Sequence, residues 1–436
     1  MRVLLASTPA SGHVGPLLVI ARMLQNAGHE TAIYTGTVFR DKAQALGVQF
    51  YPLPADVDFD LTNVAAAFPD VLRLAPGPQR AAYAHKTVFA NPIPSQFRGL
   101  EAVLQDFPAD VIVHETAFLG VLPLLLGACA SRPACVCLSI STIPLAREDG
   151  APDGPGLPPA VDAAQREQYR AKAAHINEIV TEPVREHTDR ILGELGLPGL
   201  PGPLLQSSAL LADLILQPCG PSFEFPFRAP ACNKLHFIGP LFPEGVGDVP
   251  PQVIEARAEG RRIILVSQGT VANHDLGLLA APVIEAFRDD TDKLILVTTG
   301  GKTVDTIPCP LSPNTLAVPF LNFAKVLPYV DVAVALGGYG TVTQALSCGV
   351  PMVLAGDAQD KPEIAARVAW TGSGIRLNTG TPSIAQLRES VEQVLSDPAY
   401  RARARRLAVE FAAFDAARAV PRLLEASVAE RLSAVG

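Results

Sequence analysis

Charged residues are scarce in this chain. Aspartate, glutamate, lysine and arginine make up 18 % of its 436 residues, below the usual quarter, while 48 % are apolar. A chain of this composition buries a large core, which excludes intrinsic disorder. Net positive charge is missing too. A balance of -8 excludes any general attraction to nucleic acid or to an anionic membrane surface. The one basic run, Tyr400 to Arg406 (YRARARR), reads as a solvated helix face. Cysteines stand scattered at 129, 135, 137, 219, 232, 309 and 348. An odd count without a Cys-x-x-Cys pair excludes a disulfide framework and a zinc site. Cys135 and Cys137 alternate within an apolar run and read as reduced core residues. No apolar run approaches the ~20 residues of a membrane span; the richest, Val121 to Ala128, contains Pro123. The N-terminal MRVLLASTPASGHVG is too short in its apolar part for a signal peptide. A cytoplasmic protein with no integral membrane segment and no nucleic-acid partner is expected.

What is present is alternation. Arg2 to Ala6 reads as a strand, Pro16 to Asn26 as a helix ending at Gly28, and Glu30 to Tyr34 as a strand. A helix over Val38 to Leu46 and a strand over Val48 to Leu53 follow. Asp110 to Val113 and Ala134 to Leu138 continue the sheet, with a helix over Leu119 to Ala130 between them. Gly150 to Pro159 and Leu197 to Pro203 are loops around a helical stretch from Ala163 to Leu195. The Pro/Gly-rich Leu241 to Pro251 is a linker, and beyond it the alternation restarts. Strands over Arg262 to Ser267, Lys293 to Val297, Leu316 to Pro319, Val332 to Leu336 and Met352 to Leu354 are expected, with a helix over Leu276 to Phe287. Ala399 to Arg431 reads as helices. The chain is therefore α/β, two doubly wound domains with parallel sheets, binding ligands in the cleft at the strands' carboxyl ends. Residues 1–240 would form the N-terminal domain, 241–260 the linker and 261–405 the C-terminal domain. Helices of 406–436 would pack back toward the first domain.

Two places in this frame carry chemistry. In DVAVALGGYGTVTQALSCGVPMV (Asp331 to Val353) a strand runs into Gly337, Gly338 and Gly340 and then into a helix. Such a turn lets backbone approach a ligand closely, and the helix N-terminus behind it favours a phosphate or pyrophosphate. In the first half, Ser11 to Pro16 (SGHVGP) places His13 on the loop after the first strand, ahead of a helix that Pro16 helps to start. A histidine there titrates near ~6.5 and can take a proton. Glu115, at the end of strand Asp110 to His114, is the carboxylate that would hold its tautomer. Asp56-Val57-Asp58-Phe59-Asp60 contains D-x-D without the glycine and distant glutamate of a calcium loop, and reads as a solvated acidic turn. Phe59, Phe68, Tyr83, Phe89, Phe97 and Phe118 are core residues or the lining of an acceptor pocket.

With these segments in hand, the chain resembles family 1 glycosyltransferases of the GT-B fold. The resemblance rests on GHVGPLLVIARMLQNAGHETAIYT, HFIGPLFPEG, ILVSQGT, VPFLNFAKVLPYVDVAVALGGYGT, QALSCGVPMV and DKPEIAARV, in that order along nearly the whole chain. It implies His13 as base with Glu115 as its acidic partner. Gly269 and Thr270 would contact the donor diphosphate, and Phe320 would stack on the nucleotide base. Gly338, Gly340 and Thr341 would bind phosphates with Gly337, Gly12 would join the donor-binding set, and Asp360 would hold sugar hydroxyls. Three residues depart from the family pattern: Leu336 for a histidine, Gln344 for the ribose-binding glutamate, and Lys361 for a glutamine; Gln344 and Lys361 remain in the donor-binding set, Gln344 bonding a hydroxyl and Lys361 a sugar hydroxyl or a phosphate. The resemblance implies an inverting O-glycosyltransferase moving a hexose from a UDP- or TDP-sugar to a small lipophilic acceptor. It needs no metal and no cofactor beyond the nucleotide sugar as co-substrate. The three departures keep open a non-catalytic nucleotide- or lipid-binding protein of the same fold; a sugar-nucleotide epimerase is the third reading.

Overall fold

The computed structural model describes residues 1–435 apart from 76, 130, 229–233, 244, 246, 271 and 272; the side chains of 62, 65, 434 and 435 are not described. Seven parallel strands make the first sheet: β1 (Arg2–Ala6), β2 (Glu30–Thr35), β3 (Gln49–Pro52), β4 (Val111–Glu115), β5 (Ala134–Leu138), β6 (Leu214–Gln217) and β7 (Leu235–Phe237). Their order is β3-β2-β1-β4-β5-β6-β7. The second sheet has six: β8 (Arg262–Ser267), β9 (Lys293–Thr298), β10 (Thr315–Val318), β11 (Val332–Ala335), β12 (Met352–Leu354) and β13 (Gly374–Arg376). They run β10-β9-β8-β11-β12-β13, again all parallel. Both orders reverse once, between β1 and β4 and between β8 and β11. Those reversals open crevices at the strands' carboxyl ends.

Side-chain alternation explains why both sheets are covered on two faces. Val3, Leu5, Ile33, Val111, Val113, Val136 and Leu138 join one apolar cluster. Leu4, Ala6, Ala32, Tyr34, Ile112 and Cys135 join another on the opposite face. In the second sheet Ile263, Leu265, Ala333 and Met352 point one way and Ile264, Val266, Val332 and Val353 the other. Each such leucine or isoleucine contributes about 1.5–3 kcal/mol by leaving water. Ala416, Val420 and Leu424 of the last helix, Ala416–Val435, pack into the first sheet's cluster beside helix Ser11–Asn26. The chain crossings near 238–242 and 411–417 frame a cavity of about 530 Å³, lined by Val19, Met23, Phe242 and Phe414.

Several local expectations need correction. The first helix starts at Ser11 rather than Pro16, so His13 lies in its first turn and Pro16 in its interior. The helix expected over Leu119 to Ala130 shrinks to a 3₁₀ turn at Leu119–Val121 and one turn at Leu122–Leu125, with Pro123 at its start; Ala130 lies outside the described residues. The helix over Leu276 to Phe287 is confined to Ala280–Ala286. β6, β7 and β13 extend the sheets beyond the strands expected. Asp56 accepts the Ser95 hydroxyl at 2.5 Å and Asp58 accepts Thr37 N–H at 2.9 Å, so these carboxylates tie their loop to helix Ile93–Asp106 and to the 3₁₀ turn Thr37–Phe39. Among the described residues no cluster could hold a metal ion, and no helix is long and apolar enough to cross a membrane. Cys129, Cys135, Cys137, Cys219, Cys309 and Cys348 are free, and burial pushes the Cys135 and Cys137 thiols up to about 12. Cys232 lies outside the described residues.

Candidate active site

The first crevice holds the histidine and its carboxylate. Glu115 ends β4, is fully buried, and accepts Thr8 N–H at 3.0 Å on Oε1 and Ala117 N–H at 2.6 Å on Oε2. Those amides fix it without help from any side chain. His13 Nδ1 lies 3.1 Å from Glu115 Oε1. The ring N–H is off the line of a good hydrogen bond, which leaves Nδ1 formally unpartnered. At 3.1 Å the pair is a charge contact. Burial alone would lower the His13 pKa, but Glu115, with a smaller push from Asp360, raises it above its ordinary value. Burial would raise Glu115; His13 and the two amides hold it below the usual carboxylate range. A histidine poised in this way is a base whose protonated form is stabilised, while Nδ1 toward the carboxylate leaves Nε2 to face a substrate. Gly12 is exposed beside it, with nothing within 4 Å of where a Cβ would stand.

The second crevice holds the glycine turn. Gly337 (φ 96°) follows β11, and Gly338 is the N-cap of helix Tyr339–Ser347. Glycine has no side chain to cap with, so the first N–H groups of that helix face outward and attract an anion. Gly340 is exposed, Thr341 half-buried and Gln344 buried one turn further on. Gly269 (φ 75°) and the exposed Thr270 follow β8, on the other lip of the same crevice. Phe320 is 59 % exposed and lies over Gly301, where a Cβ would meet its ring at 2.7 Å. An exposed aromatic edge held flat by a glycine is a platform for a ring. Leu336 is 6 % exposed and packs in the apolar cluster with Val334 and Val353.

The crevices face each other, and polar contacts cross between them. Ser141 Oγ donates to Asp360 Oδ2 at 2.6 Å. Gln217 Nε2 donates to Tyr339 Oη at 2.6 Å and to the Ser141 carbonyl at 2.9 Å, tying the glycine turn to the first domain. Arg367 is buried between Glu224 (2.8 Å) and Glu363 (2.9 Å). Glu363 Oε1 accepts Gly154 and Gly156 N–H at 3.0 and 2.7 Å. A side chain on Gly156 would strike the Pro362 carbonyl, so that approach requires glycine. Phe225 is sandwiched by the Arg147 and Arg367 guanidiniums at 4.5 and 4.3 Å. Ser141, Gln217 and Glu224 escaped sequence analysis because their partners lie 219, 122 and 143 residues away. The only local signal was the polar loop after the strand Ala134–Leu138.

Comparison with known proteins gives the family. UDP-glycosyltransferase 2 of Phaeomoniella chlamydospora is 36 % identical over 430 residues, covering 96 % of this chain and 94 % of its own. The chain belongs to the family 1 GT-B glycosyltransferases. 4'-Demethylrebeccamycin synthase of Lentzea aerocolonigenes is 34 % identical, over 95 % of this chain and 96 % of the relative. Residues 287–426 match the family of erythromycin biosynthesis protein CIII-like C-terminal domains. The calicheamicin glycosyltransferase CalG4 shares the fold, with a TM-score of 0.72 at 22 % identity over 98 % of both chains. As a family 1 glycosyltransferase the protein uses a nucleotide sugar.

Proposed function

We propose that this glycosyltransferase moves a hexose from a nucleotide-diphosphate sugar to a hydroxyl of a small lipophilic acceptor, inverting the anomeric centre. The observation that carries this is the placement of the His13–Glu115 pair at one topological switch point, opposite an uncapped glycine turn at the other. His13 Nε2 takes the acceptor's proton; the alkoxide attacks the anomeric carbon from the face opposite the diphosphate, which leaves with the bonding electrons. Attack on one face and departure from the other turns an α-linked donor into a β-glycoside.

Negative charge grows on the departing diphosphate. The helix N–H groups behind Gly338, with Gly269, Thr270 and Thr341, meet it with fixed dipoles and hydroxyls, so the donor set asks for no metal. Gly12 would line the same space from the first domain. In this reading Asp360 would accept sugar hydroxyls, Gln344 would bond the ribose and Phe320 would stack on the base. A UDP-hexose fits relatives named UDP-glucosyltransferases, such as UDP-glucosyltransferase B1 of Starmerella bombicola at 31 % identity; a TDP-sugar is the competing donor. For the acceptor, Phe59, Phe68 and Phe89 form an apolar group with Ala10, three residues before His13. Phe97 and Phe118 belong to the core instead. The free cysteines fit a reducing, cytoplasmic setting.

The test is titration with UDP, TDP and their glucose conjugates, followed by turnover of His13→Ala with a screened acceptor. We expect His13→Ala to lose roughly 10²–10⁴-fold in turnover with donor affinity intact. Equal losses in both would remove His13 from the role of base.

A further inference from the structure

Helix Lys361–Trp370 begins directly behind the glycine turn, and its first residue is a buried ammonium. Lys361 is 8 % exposed. Its stem runs past two glycines: a Cβ on Gly356 would stand 2.7 Å from both Cβ and Cδ of Lys361, and one on Gly337 would stand 3.9 Å from its Cβ. The same Gly356 position is 1.9 Å from the Leu336 carbonyl oxygen, so the lysine stem lies beside the backbone that leads into the turn. The Leu336 side chain offers no polar group there.

The ammonium is poorly matched in the resting protein. Its hydrogen bond among the described residues is to Gln359 Oε1 at 2.5 Å, a neutral acceptor. Gln359 holds that position in the left-handed region, at φ 59°, where a residue with a side chain is strained. Asp357 and Asp360 lie close enough to favour the charge, yet each is bonded elsewhere, to Gly380 N–H at 2.9 Å and to Ser141 Oγ at 2.6 Å. Burial pulls the Lys361 pKa below the usual lysine value, and those two carboxylates only partly oppose it. A buried charge held by a neutral, strained partner is satisfied better by an anion.

We propose that Lys361 is a donor-recognition residue whose ammonium leaves Gln359 and pairs with the diphosphate of the nucleotide sugar at the Gly337–Gly338 turn. The inference rests on the donor site proposed above and assigns its full positive charge. Lys361→Met keeps the length and apolar stem of the side chain and removes the charge. Calorimetric titration of both proteins with UDP, TDP, UDP-glucose, uridine and thymidine separates the possibilities. The expected result is a ten- to hundredfold loss for the diphosphates, no change for the nucleosides, and a weaker salt dependence in the variant. Gln359→Gly, which removes the resting partner and the strain, is expected to bind UDP at least as tightly as the wild type. Unchanged UDP binding by Lys361→Met, or a loss confined to UDP-glucose, would overturn the assignment, the latter in favour of a sugar hydroxyl. So would a loss in Gln359→Gly equal to that in Lys361→Met, which would mark loop integrity rather than charge. Failure of the wild type to bind any nucleotide would instead refute the donor-site reading itself.

Discussion

Replacing Glu115 by glutamine preserves the shape of the side chain and removes its charge. In the native protein its two oxygens meet three groups: Thr8 N–H and the charge contact of His13 on Oε1, and Ala117 N–H on Oε2. A glutamine has one oxygen for them. Whichever way the amide turns, its NH₂ must face at least one buried N–H, and an unsatisfied buried donor costs about 1–3 kcal/mol. The larger effect falls on His13. With the carboxylate gone, burial is left as the main influence on the imidazole, and its pKa drops below 6.5 instead of rising above it. Initial rates at saturating donor and acceptor between pH 5 and 9 are the assay. The wild-type rate should climb through a midpoint above 6.5, because the base must be neutral to work. Glu115→Gln should reach its plateau at lower pH, with that plateau roughly 10²–10⁴-fold down. Stability carries a matching signature. The raised His13 pKa contributes stability below about 6.5 that is lost as pH rises through the folded value. The lowered Glu115 pKa contributes stability above about 4.5 that is lost as pH falls. The difference between the two proteins in urea unfolding should therefore be greatest near pH 5–6 and shrink on either side. A variant with the wild-type plateau and midpoint would show that Glu115 does not act on the base.

Arg367→Met strands Glu224 and Glu363 in the interior, and breaking a buried pair in this way costs about 3–5 kcal/mol; urea unfolding should show it, and wild-type stability would refute the cross-domain clamp. Phe320→Ala should weaken nucleotide binding by about threefold to tenfold, the worth of an aromatic contact, and leave the melting temperature unchanged because the ring is largely exposed. Asp153 is exposed by surface area, yet it stands among Glu363, Arg367 and Asp360 in a crowded stretch of chain. Burial, then the charges of Glu363 and Asp360, push its pKa from 3.8 up to about 6 against the pull of Arg367. Its folded-state charge is thus unfavourable above about pH 6, so Asp153→Asn should raise the melting temperature at pH 7 and make no difference near pH 3.5. An equal gain at both pH values would contradict that account.

How much of this was legible in advance depended on where each residue's partners lie. β1, β5, β8 and β12 were read from the sequence with their observed bounds, because parallel strands buried on both faces appear as short unbroken apolar runs. β13 did not, although it completes the second sheet. It has three residues, two of them half-buried, and it opens on a glycine that resembles a turn. Gly374 is there for a different reason: a Cβ would stand 2.2 Å from the Met352 carbonyl oxygen. The same confusion moved His13 onto a loop, since Gly12 and Pro16 look like punctuation until the helix around them is seen. The chemical site divides along the same line. Glycine turns and a histidine at a strand end are local, and a sequence can show them. The Ser141–Asp360 contact joins residues 219 apart, and Gln217 reaches Tyr339 across 122. Nothing at Ser141 or Gln217 sets them apart from any serine or glutamine, because their role exists only once two sheets are brought face to face. The proposed site between the two sheets is therefore completed by contacts between the two halves of the chain. Its most informative residues are those whose partners lie in the other half of the chain.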